Sequence, residues 1–254
     1  MARLFTAASS QKIDWGDIAE IDGVANLTVS SWIYLVTLTD FAAILSKTTP
    51  TATSGWTFQS GGTGFGGSND VLISARDSTG GQFGYTSGNI IAANTWNHWC
   101  YWFDGAGVGS AGRLKFYFNG VEQGLTYPVA IGTTIASNAQ PFEMGFTTGG
   151  VDPYYDGRIA ECGIWNVSLS ISEIVALARG VRPNRLRPAS LQFYAPLWGL
   201  HSPEVDLSTF RRSGTVTGAT LANHAPVTTF TTKAYSFPAQ GVAAANILMP
   251  QICM

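Results

Sequence analysis

The chain has 254 residues, enough for one large sandwich or for one domain with an appendage. Only 12% of the residues are charged, and the 14 basic and 16 acidic side chains nearly cancel. That balance argues against a nucleic-acid surface, and no stretch approaches the roughly 20 apolar residues of a membrane helix.

The opening MARLFTAASSQKIDWG carries no secretory apolar run, and Arg3-Leu4-Phe5 and Lys12-Ile13-Asp14-Trp15 already read as strand segments. In Asn26–Tyr34, Leu27, Val29, Ser31 and Ile33 point one way, and Thr28, Ser30, Trp32 and Tyr34 the other. Both faces carry apolar bulk, so this is a central strand. Ala42–Lys47, Trp56–Phe58, Val71–Asp77 and Gln82–Thr86 follow as short strands divided by Gly/Ser/Thr turns, the spacing of an all-β sandwich.

Trp96–Gly120 is the most informative stretch. Trp96–Phe103 is packed with aromatics and leads into Asp104-Gly105. Arg113–Phe118 then alternates Leu114, Phe116 and Phe118 against Lys115 and Tyr117. Asn119-Gly120, two residues that tolerate positive φ, closes it with a tight hairpin turn. Trp-x-His, Asp-Gly and Tyr-x-Asn-Gly in this order resemble the central hairpin of laminin-G-like domains. That resemblance implies a concanavalin A-like jelly roll of two antiparallel sheets. Ala42–Lys47 and the Asn26 strand are similar to the family's strands as well.

Further along, Phe142–Phe146 and Asp156–Trp165 read as strands. The inward face of the second is Ile159 or Ala160, with Cys162 and Ile164. Ser170-Ile171-Ser172-Glu173 is a capping box that opens one short helix, 171–179, with Ile174, Leu177 and Ala178 as its apolar stripe and Gly180 as its stop. Segments 190–199 and 206–219 resemble motifs that ordinarily open such a domain, yet here they come last. The expected organisation is therefore a circularly permuted sandwich over 1–224, with 190–224 supplying the opening strands. Residues 225–254 follow as an apolar docking tail, with Phe230, Tyr235, Phe237, Ile247, Leu248 and Met249 as its contact residues.

Cys100, Cys162 and Cys253 are too few and too irregularly spaced for a disulfide framework. Cys100 and Cys162 could pair only if their strands are neighbours. Catalysis finds little support. Glycosidases on this fold need carboxylates sharing one strand face, but Glu20-Ile21-Asp22 is followed by Gly-Val-Ala where a second acid is required. His98, His201 and His224 are scattered, and His98 reads as a buried, hydrogen-bonded histidine. The expectation is a protein that is not an enzyme and needs no cofactor. The resemblance allows Ca²⁺ at a rim, with Asp70, Asp77, Asp152 and Asp156 as possible ligands. Asp152, Tyr154, Tyr155 and Asp156 together have a composition suited to stacking on a sugar.

Without an export signal, and with an apolar tail, the expected function is a structural or attachment protein of a virus particle. In that reading it decorates a bacteriophage capsid or tail at the virion surface after synthesis in the host cytoplasm. Its partners are capsid proteins, other copies of itself and cell-surface glycans, with neither nucleic acid nor membrane. The alternative is a free carbohydrate-binding or adhesion module, and a glycoside hydrolase comes third.

Overall fold

The computed structural model describes residues 1–148, 154–199 and 202–227. The strands are Ala2–Phe5 (β1), Lys12–Asp14 (β2), Asn26–Leu35 (β3), Ala43–Thr48 (β4), Ser54–Ser60 (β5), Val71–Asp77 (β6), Phe83–Tyr85 (β7) and Trp96–Asp104 (β8). They continue as Leu114–Phe118 (β9), Val121–Gln123 (β10), Glu143–Met144 (β11), Gly157–Trp165 (β12), Leu191–Ala195 (β13), Glu204–Val205 (β14), Ser213–Thr217 (β15) and Thr220–Ala222 (β16). Two α-helices, Gly109–Arg113 (α1) and Ile171–Ala178 (α2), and four single-turn 3₁₀ helices complete the regular elements among the described residues.

Two sheets of eight strands stack face to face. Sheet one runs β10-β9-β8-β3-β12-β1-β16, with β13 also on β12. Sheet two runs β14-β15-β2-β11-β4-β5-β6-β7. The expected all-β jelly roll is what forms. β3 lies between β8 and β12, as its two apolar faces require. Its inward residues Leu27, Val29 and Ile33 join Trp99, Tyr101, Phe103 and Phe116 of sheet one against Trp56, Phe58 and Ile73 of sheet two. Phe58 packs its ring 5.4 Å from Trp99 and 5.8 Å from Phe116, in tilted and edge-on geometries that aromatic quadrupoles favour.

The β8–β9–β10 arrangement follows the sequence pattern, with Asn119 at φ 51 and Gly120 at φ 81 in the turn. A Cβ at Gly120 would come within 3.2 Å of Ala178 on α2, so both conformation and space call for glycine. The expected helix forms as α2, opened by a complete Ser170/Glu173 capping box. Its Ile174 and Leu177 cover Trp165, Tyr117, Tyr194 and Cys100 on the outer face of sheet one, making a second, smaller core.

The alternation in β12 changes midway. Ile159 and Cys162 both point inward while Ala160 faces out, because the register slips between Ala160 and Gly163. Glu161 occupies the extra position with φ 53. Cys100 and Cys162 stand on strands separated by β3 and in different cores, so they do not pair. Cys253 lies outside the described residues.

The late segment enters both sheets: β13 pairs with β12, β15 with β2, and β16 with β1. β1 and β13 lie end to end along the same edge of β12, opposite residues 157–159 and 162–165.

Candidate functional site

The outer face of sheet two has a distinct chemical pattern. Directly paired residues form one line across it: Phe83, Ser74, Thr57, Ser46, Glu143, Asp14 and Thr215. Next to it run Tyr85, Leu72 and Gln59 on one side, and Arg76, Gly55 and Thr48 on the other. Alternation explains the line, because Trp56, Phe58 and Ile73 must face the core and their neighbours in sequence must face out. Most of those neighbours are short and polar, and Ser46, Thr57 and Ser74 make a floor of buried hydroxyl groups.

Aromatic rings flank the floor. On the β7 side, Phe65 packs 5.2 Å from Phe83, 5.6 Å from Tyr85 and 6.1 Å from Phe41, all near edge-on and all partly exposed. On the other side, Tyr154 stacks on Phe146 at 4.5 Å, and Lys12 Nζ lies 5.1 Å from the Phe146 ring.

Residues 146–148 cross above the floor, held there by Ser46 Oγ donating to the Phe146 carbonyl at 3.0 Å and Thr148 Oγ1 donating to Glu143 at 2.5 Å. Glu143 is buried and also takes a 2.6 Å bond from Lys12 Nζ. Beside this crossing lies a small cleft of about 30 Å³ lined by Thr48, Thr49, Pro50, Ala52, Thr57, Arg76, Thr147 and Thr148. Thr57 and Ser74 share a 2.7 Å hydroxyl contact, and Arg76 donates to Thr48 Oγ1 at 3.1 Å. Thr147 Oγ1 is buried on the cleft wall without a hydrogen-bond partner among the described residues. A buried hydroxyl in that condition calls for a ligand or solvent.

The expected sugar-stacking group is divided by the fold. Tyr155 is fully buried in the core, 6.0 Å from Phe5, and its hydroxyl donates to the Tyr34 carbonyl at 2.8 Å. It cannot offer a ring face to a ligand, and burial raises its phenol pKa well above the ordinary value. Adjacent residues of an extended chain point to opposite sides, so Tyr154 alone faces out. Asp156 accepts from Thr37 Oγ1 at 2.6 Å, away from the floor. Asp152, and the tail residues Phe230, Tyr235, Phe237, Ile247, Leu248 and Met249, lie outside the described residues.

Of the four carboxylates considered for Ca²⁺, Asp70, Asp77 and Asp156 are occupied by donors. Asp70 is buried and accepts from Thr86 Oγ1 at 2.6 Å and from the Gly88 and Asn89 amides at 3.0 Å. Burial would raise the pKa of Asp77, but hydrogen bonds from Thr79 and Gln82 outweigh it and hold the carboxyl below its usual range. Among the described residues, no group of three His, Cys, Asp or Glu side chains is placed to hold a metal. The Glu20–Asp22 pair does not form a catalytic cleft: Glu20 pairs with Arg212, while Asp22 joins Asp17 around buried Lys47 at 2.8–2.9 Å. His98 is buried with Ser30 Oγ 2.7 Å from its Nε2, and burial depresses its pKa to about 3.

Two stacked antiparallel sheets in this order are the architecture of lectin-like jelly-roll domains. The chain belongs to the concanavalin A-like lectin/glucanases superfamily: the laminin G family model with that description matches residues 7–175. Among solved structures it is similar to a Bacteroides ovatus protein assigned to carbohydrate binding, at 19% identity and a TM-score of 0.67. That alignment covers 89% of this chain and 61% of the other, so the chain spans about three fifths of that protein's length. It is also similar to the CBM40 of the Ruminococcus gnavus IT-sialidase, at 12% identity and a TM-score of 0.52, over 70% of this chain and 96% of that one. No curated protein sequence matches the chain. These likenesses give the chain the fold of carbohydrate-binding modules.

Proposed function

We propose that the protein is a non-catalytic carbohydrate-binding module whose ligand lies across the outer face of sheet two. The observation that carries this is the two groups of partly exposed rings that flank the polar outer face, Phe41, Phe65, Phe83 and Tyr85 on one side and Phe146 with Tyr154 on the other, with Thr147 and Arg76 in the adjoining cleft. Sugars present apolar C–H faces and many hydroxyls. Rings that pack on the first, and short polar groups that bond the second, are the complement of such a ligand. The virus-particle role expected from the sequence finds no support in the comparisons, which favour its alternative, a free glycan-binding module.

A glycan array followed by calorimetry tests the reading. The wild type is expected to bind a subset of glycans. Phe83→Ala and Tyr154→Ala are each expected to weaken that binding at least tenfold, with melting temperatures kept close to wild type. Array binding that survives both substitutions unchanged, or an array without binders, would overturn it.

A further inference from the structure

The outer face of sheet one is treated differently over its two halves. α2 seals the half around Trp165 and Tyr117. In the other half, strand register sets Trp96, Tyr34, Arg158 and Leu4 in one cross-strand line over β8, β3, β12 and β1. They face out because Ile33, Leu35 and Ile159, their neighbours in sequence, face the core. All four are partly exposed. Trp96 meets Tyr34 edge-on at 5.5 Å between ring centres, and the Arg158 guanidinium lies 4.4 Å from the centre of the Tyr34 ring.

The path of the chain says what reaches this line. β16 pairs with β1, and the residues after it turn back over the same face. Ala225 is buried in a small outer cluster with Ala2, Trp32 and Ala160, and Val227 and Trp96 both pack against that cluster. The described chain ends at Val227. Segment 228–254 has Lys233 as its one charged side chain, and Phe230, Tyr235 and Phe237 near its start. Phe230 is three residues past Val227, a reach of about 10 Å at full extension. Two apolar surfaces tethered this closely are more stable covering one another than left in water.

Arg158 supplies a second, independent observation. Its Nε is buried and has no hydrogen-bond partner among the described residues. Buried N–H groups are nearly always paired, so an acceptor is wanted above the Tyr34 ring. The main chain of a segment laid along this line carries such acceptors in its carbonyl oxygens.

We infer that the C-terminal segment of this same chain docks on the outer face of sheet one. Phe230, Tyr235 and Phe237 cover Trp96, Tyr34 and Leu4, and a main-chain carbonyl accepts from Arg158 Nε. The short tether favours the chain's own segment over that of a second copy, because a partner linked so closely acts at an effective concentration of about millimolar. The docked segment does for this half of the face what α2 does for the other.

Hydroxyl-radical footprinting of the full chain, read residue by residue by mass spectrometry, tests this. Wild type is compared with a full-length chain carrying Phe230→Ser, Tyr235→Ser and Phe237→Ser. Oxidation of Trp96 and Tyr34 is expected to rise about threefold or more in that variant, while Phe65 and Tyr85 on sheet two keep their wild-type rates and report an intact fold. The reciprocal variant Tyr34→Ser, at a partly exposed side chain, should raise the oxidation of Phe230 and Phe237, and it keeps the test decisive if the triple variant fails to fold. Wild-type protection of Trp96 should persist through a hundredfold dilution. Rates at Trp96 and Tyr34 that are equal in wild type and the triple variant, or tail rates unmoved by Tyr34→Ser, would overturn the docking. Protection lost on dilution would overturn it in favour of a segment supplied by a second copy. Glycan binding on sheet two enters neither readout, so the two readings fail separately.

Discussion

The outer faces of the two sheets start from the same alternation and end differently. On sheet one the outward residues include Trp165, Tyr117, Cys100 and Tyr194, and α2 seals them with Ile174 and Leu177. On sheet two the outward residues are Thr57, Ser74, Ser46 and Gln59, which are polar yet buried, with segment 146–148 lying over Ser46. The residues facing the inter-sheet core are equally apolar in both sheets. What separates a load of packing from a surface for recognition is the chemistry of every second residue.

Leu177→Ala tests the sealed face most severely. It removes a buried side chain from the second core and is expected to cost about 2–5 kcal/mol in a denaturant titration. An effect below about 1 kcal/mol would mean that α2 does not seal sheet one. Thr57→Ala, on the other face, is expected to cost about 1 kcal/mol, the worth of its bond to Ser74, and to change glycan affinity more than stability.

His98 provides a pH test of the same contrast. Its folded pKa is lowered from 6.5 to about 3 by burial on sheet one, so the unfolded chain takes up a proton that the folded chain refuses. Stability should therefore fall as the pH drops below 6.5, by at most about 1.4 kcal/mol per pH unit from this residue. Melting curves of His98→Gln between pH 7 and pH 4 should be flatter than wild type; parallel curves would contradict this.

Smaller effects come from the cap of α2. Ser170→Ala removes the Glu173 amide's acceptor and is expected to cost about 1 kcal/mol by thermal melting. Arg187 donates to Glu173 and, with Ser170, lowers the Glu173 pKa from 4.5 to about 2. A depressed carboxyl pKa stabilises above the unfolded value, and that contribution is shed as the pH falls from 4.5 toward 2. Carboxyl NMR titration of Arg187→Ala should move the Glu173 midpoint up toward 4.5, with only a small change in stability because the pair is solvent-exposed.

Much of the scaffold could be read from local pattern. The two apolar faces of Asn26–Leu35, the Asn119-Gly120 turn and the Ser170/Glu173 box each depend on neighbours within a few residues. The candidate site is built differently. Phe41, Phe65, Phe83 and Tyr85 come from separate loops and strands, and Ser46, Thr57 and Ser74 align only through register. A Thr or Ser in a strand looks the same in sequence whether it floors a cleft or faces bulk water. Tyr154 and Tyr155 show the limit sharply: the pair looks like one platform until the start of β12 sends one ring into the core. The slip at Glu161 had a partial trace, because Ile159 and Cys162 cannot share a face in an unbroken strand.

The end-to-end placement of β1 and β13 along β12 has a consequence for how the protein is born. One edge of that strand is completed by residues 2–5 and by residues 191–195. Sheet two likewise lodges β2 between β11 and β15. Neither layer can finish pairing until nearly the whole described chain has left the ribosome. Such distant partners make for slow assembly, with unpaired edges exposed in the meantime.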